Sequence, residues 1–175
     1  EKQRFWAVRT AAVPILYKLK GDRKILALTE DAVVPIARLV DYFRGIKTLF
    51  RRHGVRYVTY GHIAKGLMHT RPLLNLKAAG DVGLLKVLAD EMFSLVHDLG
   101  GVVSGEHGDG RLRSAYIRAQ YPEIYELFMQ VKSLFDPRSV FNPEIKTSAD
   151  PVQMTRNLRY GAGYRSSDPA RPVLR

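Results

Sequence analysis

The sequence has no cysteine and no long hydrophobic run among its 175 residues. The lack of cysteine excludes disulfide bonds, thiolate metal sites and cysteine nucleophiles, and it fits a reducing compartment. The longest uncharged stretches are far shorter than the roughly 18 residues of a membrane span, so no transmembrane helix is predicted. The chain opens at Glu1 without a basic and apolar leader segment, as if cut from a longer polypeptide. We expect a cytoplasmic protein, either free or peripheral at the inner face of the membrane.

Acidic side chains are also scarce, because 17 aspartates and glutamates stand against 28 lysines and arginines, a formal net charge of +11. The excess lies at the two ends: residues 1–60 carry +8, residues 61–145 carry −1 and residues 146–175 carry +4. A nucleic-acid surface is usually a basic stripe with interleaved aromatic residues on one element. This distribution instead predicts solvated basic faces and a basic tail, with no nucleic acid as partner. An anionic substrate or partner is the alternative.

Helical and extended patterns alternate along the chain. Helices are predicted over residues 1–17, 35–54, 82–99 and 122–135. Strands are predicted over residues 25–34, 55–62 and 67–74, with a short one at 102–103. The two strands between residues 55 and 74 form a hairpin, which requires an antiparallel or mixed sheet. The predicted fold class is therefore α+β, with an antiparallel, ferredoxin-like sheet covered by helices.

The predicted hairpin carries two histidines. His62 and His69 flank a tight turn predicted at Lys65-Gly66, and this symmetric spacing would place them directly opposite each other. Opposed residues have Cβ atoms about 4.5–5.5 Å apart, so both imidazoles could reach one divalent metal. Such a site also needs a carboxylate, for which Glu106 is the candidate. The alternative is an ordinary cross-strand pair of surface histidines.

A glycine-rich run, Ser-Gly-Glu-His-Gly-Asp-Gly-Arg, occupies residues 104–111. Glycine at alternate positions lets the backbone approach a ligand closely and presents Glu106 and His107 together. Imidazole groups change charge near neutral pH, which makes His107 a candidate general base. A tight turn would also explain the glycines without any chemistry.

Three motifs follow one another along the chain, at residues 60–69, 104–111 and 136–146. The first two are the histidine hairpin and the glycine-rich run, and the third is Asp-Pro followed by Phe-Asn-Pro and a lysine. Together they resemble the C-terminal substrate (cap) domain of the FAD-linked oxidases, a family that acts on D-lactate, glycolate and D-2-hydroxyglutarate. The run Arg-Tyr-Gly-Ala-Gly at 159–163 is most similar to large members that continue into an iron–sulfur module.

This resemblance implies a role for each candidate residue. The implied metal ligands are His62, His69 and Glu106; the implied catalytic base is His107; the implied flavin contact is Asn142; and the implied substrate-binding residues are Arg9 and Arg71. Position 71 is often asparagine in relatives, and an arginine there could bind a carboxylate in bidentate fashion. The hairpin turn also departs from that of many relatives, and Lys65 would disfavour a dication unless it points to solvent.

The resemblance also implies a fragment of a larger FAD-dependent 2-hydroxyacid dehydrogenase. Residues 1–147 would be the cap domain, truncated at its N-terminus, and residues 148–175 a basic linker with little regular structure toward a further domain. FAD would be held mainly by an N-terminal domain without a counterpart here, the metal would be Zn or Mn, and an iron–sulfur cluster would belong to a further C-terminal module. The implied partners are a small 2-hydroxyacid, the FAD domain of the same polypeptide and a downstream electron acceptor. Alone, the chain would be inactive.

Two other classes of function stay open. One is a basic, ferredoxin-like binding module for an anionic partner, whose binding through residues 1–60 would weaken steeply with salt and survive loss of the motif histidines. The other is a metal-binding structural domain without catalysis.

Overall fold

The computed structural model describes residues 1–162 and Tyr164. In that part of the chain the helices and strands follow in the order α1 (Lys2–Tyr17), β1 (Lys24–Ile25), β2 (Ala32–Val33), α2 (Leu39–Arg52), β3 (Tyr57–His62), β4 (Leu67–Leu74), α3 (Ala79–Asp98), α4 (Gly110–Gln120), α5 (Tyr125–Phe135) and α6 (Gln153–Arg156). Short 3₁₀ turns precede α2 and connect β3 to β4. None of the described helices is long and apolar enough to cross a membrane.

The sheet is organised around β4, which is antiparallel to each strand it pairs with. β3 lies along one edge of β4, while β1 and β2 pair with the two ends of the other edge. Between β1 and β2, the six residues 26–31 face only the four residues 69–72 of β4, so the chain bulges out of the ladder. A β-bridge between Val33 and Val102 places the segment just before the glycine-rich run at the same edge of β4.

The core lies between one face of the sheet and helices α2 and α3. Both helices bury residues at spacings of three and four, as an amphipathic helix does. The buried residues of α2 and α3 are Leu39, Tyr42, Ile46, Leu49 and Phe50, then Leu85, Leu88, Ala89, Met92, Phe93 and Val96. β4 contributes Met68 and Leu74 to this core, and all eight of its residues are buried. Since side chains alternate along a strand, His69 and Arg71 lie on the opposite face.

The predicted α+β class is confirmed, with two differences in the elements. The strand expected over residues 25–34 is interrupted by the bulge, at which Asp31 takes a φ of +73°. Helix α4 was not predicted, because the residues it buries are mainly polar (Arg113, Ser114 and Ile117) and give no apolar period.

The segment after residue 147 continues across the surface of the domain. It contains the single turn of α6, in which Gln153 and Met154 are buried, and Met154 belongs to the core cluster. The domain boundary at residue 147 and the linker role stay predictions. Gly163 and residues 165–175 of the predicted tail lie outside the described residues.

Replacing Gly66 by Ala is expected to destabilise the protein more than replacing Gly54. Both glycines have a positive φ, +67° and +62°, so an alanine costs about 1–2 kcal/mol at either position. A Cβ at Gly66 would also clash with the carbonyl oxygen of Val34, whereas a Cβ at Gly54 meets no atom within 4 Å. Urea denaturation should show an additional loss of about 1–3 kcal/mol in the free energy of unfolding of Gly66→Ala. Equal losses for the two variants would contradict this close approach.

Candidate metal and active site

The candidate site lies on the face of β4 that points away from α2 and α3. His69 and Arg71, two residues apart on this strand, are 4% and 8% exposed. The bulge between β1 and β2 brings Glu30 and Asp31 to them, and the glycine-rich run lies over the bulge through hydrogen bonds to Asp31. Two buried acids, a histidine, an arginine and the glycine-rich run thus meet on this face of the sheet.

The expected direct pairing of His62 with His69 is wrong in register. Tyr60 is the residue opposite His69, and His62 is opposite Leu67. The reason is that residues 63–66 form a 3₁₀ turn ending at Gly66, a longer connection than the predicted two-residue turn. Because residues 60 and 62 share a face of β3, the two histidines remain diagonal neighbours, with ring centroids 5.7 Å apart.

The carboxylate of Glu106 reaches both hairpin histidines. Its Oε1 lies 3.4 Å from Nε2 of His62 and 3.3 Å from Nε2 of His69. Nε2 of His107 is 3.6 Å from the same oxygen, and the His107 ring stacks on that of His69 with centroids 4.8 Å apart. Three imidazole nitrogens therefore converge on one carboxylate oxygen, as the sequence predicted for His62, His69 and Glu106.

Asp31 anchors the glycine-rich run. Its fully buried carboxylate accepts hydrogen bonds from the Ser104 hydroxyl at 2.6 Å and from the backbone amides of Gly105, Glu106 and His107 at 3.1, 3.1 and 2.8 Å. Burial by itself would raise the pKa of Asp31, but the hydrogen bonds from Ser104, His107 and Glu106 outweigh burial and hold that pKa below its ordinary value. This one side chain thus fixes the backbone that presents Glu106 and His107.

Glu30 links the glycine-rich run to β4. Its Oε2 accepts hydrogen bonds from Nε and Nη2 of Arg71 at 2.7 and 2.5 Å, and its Oε1 lies 3.1 Å from Nδ1 of His107. Arg71 also donates from Nη1 to the Tyr17 hydroxyl at 3.0 Å, which ties the end of α1 to the site. Arg71 is therefore part of this cluster and is paired with a buried acid, and its substrate-binding role stays a prediction.

Arg113 of α4 binds both the bulge and the glycine-rich run. It is 5% exposed and donates to the carbonyl oxygens of Glu30, at 3.1 Å, and of Gly108, at 2.5 Å. These two hydrogen bonds hold the bulge and the glycine-rich run together through their backbone carbonyl groups. Glu30, Asp31 and Arg113 were all missed as site residues, although a charged residue inside a buried segment signals a paired partner.

The donor set fits a divalent metal. Two imidazoles and a carboxylate suit Zn²⁺ or Mn²⁺, and burial lowers the pKa of His69, which favours the neutral form that ligates metals. The side chain of Lys65 is exposed to solvent. Asp31 also has an oxygen within 4.8 Å of ligand atoms of His69, Glu106 and His107. Its oxygens are occupied by the loop donors, however, so we assign Asp31 to the loop and not to a metal.

Two other expected site residues make different contacts. Arg9 lies on helix α1, which has no buried residue, with its guanidinium 5.2 Å from the centre of the Trp6 ring. Asn142 is exposed in the loop after α5 at a φ of +45°, and its carbonyl oxygen accepts from the amide of Ile145 at 3.2 Å. Within the described residues, neither side chain forms a hydrogen bond or ion pair with the cluster around Glu106. Their roles stay predictions.

Comparison with known proteins finds several relatives that are dehydrogenases or oxidases. D-2-hydroxyglutarate dehydrogenase of Haemophilus influenzae is 37% identical over 142 residues, which are 81% of this chain and 14% of that protein. D-lactate dehydrogenase of Archaeoglobus fulgidus is 36% identical over 124 residues, covering 71% of this chain and 27% of the relative. Glycolate oxidase subunit GlcD of Escherichia coli is 30% identical over 144 residues, covering 82% and 28%. The chain thus spans between about a seventh and somewhat over a quarter of the length of these relatives.

The family profile described as FAD linked oxidases, C-terminal domain, matches residues 1–145. The match includes the hairpin histidines, the glycine-rich run and the loop that carries Asn142. The chain belongs to the FAD-linked oxidases, and the part of that family it represents is the C-terminal domain.

Proposed function

We propose that this chain forms the substrate side of an FAD-dependent dehydrogenase of 2-hydroxyacids. The observation that carries the proposal is the convergence of the Nε2 atoms of His62, His69 and His107 on Oε1 of Glu106, within 3.6 Å. The relatives named above are dehydrogenases or oxidases of D-2-hydroxyglutarate, D-lactate and glycolate, all of which are 2-hydroxyacids. On the same basis we propose that the substrate is one of these three acids, that a downstream acceptor takes the electrons, and that an iron–sulfur module belongs to the same polypeptide.

In this proposal His62, His69 and Glu106 hold a divalent cation. When bound, such an ion supplies Lewis-acid chemistry and an anchor for the hydroxyl and carboxylate oxygens of the substrate. His62 and Glu106 have side chains 35% and 37% exposed, so these ligands are open to solvent and substrate, whereas His69 is fixed in the sheet. The mixture of one rigid ligand and two accessible ligands suits a site that must also admit a substrate.

His107 is the proposed base. Its Nδ1 is turned toward Glu30, so Nε2 is the nitrogen that faces Glu106 and the substrate side. Nε2 would accept the proton of the substrate hydroxyl, and loss of that proton lets a hydride leave the α-carbon, which yields a 2-oxoacid. The flavin characteristic of the family is the proposed hydride acceptor.

The proposed carboxylate contacts are Arg71 and Arg9. Arg71 lies on the same face as His69, and its pairing with Glu30 leaves part of its donor set for a ligand. Arg9 would have to reach the substrate from α1, and Asn142 would approach the flavin from the loop after α5.

Calorimetric titration of this chain with Zn²⁺ or Mn²⁺ tests the metal part of the proposal. We expect one ion per chain, and weaker binding by at least about tenfold for His62→Ala and for Glu106→Gln, because each removes a ligand. The matched control is His97→Ala, since His97 is an exposed histidine of α3 that pairs with its neighbour Asp98. Equal affinities for all three variants and the parent would contradict the site.

The reaction itself is tested with the flavin-loaded enzyme that carries this chain. Anaerobic mixing with D-2-hydroxyglutarate, D-lactate or glycolate should bleach the flavin absorbance for at least one acid. Failure of all three, with a flavin that dithionite reduces normally, would contradict the proposed substrate class.

A further inference from the structure

We infer that Glu30 is the positioning residue of His107: it fixes the tautomer and orientation of the imidazole, and Arg71 and Tyr17 hold Glu30 in place. The role in catalysis rests on the proposed function, whereas the tautomer is a property of this chain alone.

The geometry of the Glu30–His107 contact determines which imidazole nitrogen carries the proton. Glu30 is a carboxylate in its ion pair with Arg71, and a carboxylate can only accept hydrogen bonds. Nδ1 of His107, 3.1 Å from Oε1, must therefore be the protonated nitrogen of the neutral ring. Nε2 is then left with its lone pair, directed to the side where Glu106 and the substrate would lie. Only this tautomer can accept a proton at Nε2.

Glu30 can impose this orientation because it is itself held at several points. Its two carboxylate oxygens have separate partners, since Oε2 receives both bonds from Arg71 and Oε1 faces His107. Its carbonyl oxygen accepts from Arg113. Its side chain is 6% exposed, so water does not compete for these bonds. A buried carboxylate with a partner on each oxygen is a rigid partner for the His107 ring, whose side chain is 40% exposed.

The chain also contains a comparable pair far from the site. Oε1 of Glu91 lies 3.0 Å from Nε2 of His53, and Glu91 also pairs with Arg52, so the chemical types match those of the Glu30 network. Glu91→Gln therefore removes the same kind of charge from a histidine outside the candidate site. It is the matched control for Glu30→Gln.

Nitrogen-15 NMR of the histidine side chains of this chain, without metal and at a pH where the rings are neutral, tests the inference. We expect the parent chain to show His107 with its proton on Nδ1, Glu30→Gln to shift His107 toward the Nε2–H form, and Glu91→Gln to leave His107 unchanged. An unchanged tautomer ratio in Glu30→Gln would overturn the inference. If Glu30→Gln does not fold because Arg71 loses its counter-charge, the variant Glu30→Met/Arg71→Met removes both charges and answers the same question.

Kinetics of the flavin-loaded enzyme give a second readout. We expect Glu30→Gln to lower kcat by about 10–100-fold, because the base is misoriented, and to change KM by a smaller factor, because the metal ligands remain while Arg71 loses a partner. A rise in KM with an unchanged kcat would overturn the positioning role. If no hydroxyacid reduces the flavin of the parent enzyme, the proposed function fails, and the NMR result still decides whether Glu30 orients His107.

Discussion

Replacing His107 by alanine in the flavin-loaded enzyme should slow flavin reduction by the hydroxyacid by about 10²–10⁴-fold, the usual cost of losing a general base. The reason is positional. Within the cluster around Glu106, the other two imidazoles, His62 and His69, are the proposed metal ligands, so neither is free to take the substrate proton. The fold should be unaffected, because the loop is held through the backbone amide of His107 and not through its ring.

Stopped-flow absorbance of the flavin measures this rate directly. His97→Ala is the control, since it removes an imidazole ring from the exposed end of α3. A His107→Ala enzyme that reduced its flavin at the parent rate would overturn the assignment of the base. If His107→Ala also lost its flavin or failed to fold, the expectation that the ring does not stabilise the fold would be wrong.

Replacing Asp31 by alanine should lower the free energy of unfolding by about 3–5 kcal/mol. The carboxylate accepts hydrogen bonds from the Ser104 hydroxyl and from three consecutive backbone amides, and each buried donor left without a partner costs about 1–3 kcal/mol. Solvent would reach some of these donors when the loop relaxes, so the total falls below the full sum. Urea denaturation measures the loss, and Asp98→Ala, at an exposed position, should change stability by less than about 0.5 kcal/mol.

The same network makes part of the stability dependent on pH. Since the pKa of Asp31 is lower in the folded protein than in the unfolded chain, its contribution is fully present above the unfolded value of about 3.9 and is lost as the pH falls through the folded value. Asp31→Asn should therefore flatten the acid limb of the stability curve, whereas Asp98→Asn should leave it unchanged. A curve of parental shape for Asp31→Asn would contradict the assigned anchor.

The sequence was sufficient to predict the parts of the site that lie in recognisable patterns. The spacing of His62 and His69 in a hairpin and the glycines around Glu106 predicted which side chains would meet, although the two-residue turn gave the wrong register. Glu30 and Asp31 could not be found in the same way, because they lie in a run of β-forming residues whose period predicts a regular strand. Their position depends on the bulge against β4, and a bulge is decided by pairing between distant segments.

Helix α4 shows the same limit. Its buried face is made by Arg113 and Ser114, and the reason for burying them lies in the carbonyl groups and the loop that they bind. A pattern of apolar residues cannot reveal a helix whose inward face is polar. The polar face became interpretable only when the bulge and the glycine-rich run were placed beside it.

The central position of β4 also bears on how the site opens. β1, β2 and β3 all pair with β4 and each of its residues is buried, so we expect its hydrogen-bonded amides to exchange with solvent only when a neighbouring strand separates from it. We expect exchange in such a strand to follow global unfolding, and exchange in helix α1, which has no buried residue, to follow local fluctuations. His69 and Arg71 are thus attached to a strand that we expect to exchange slowly, while Tyr17 joins them from a helix that we expect to exchange fast.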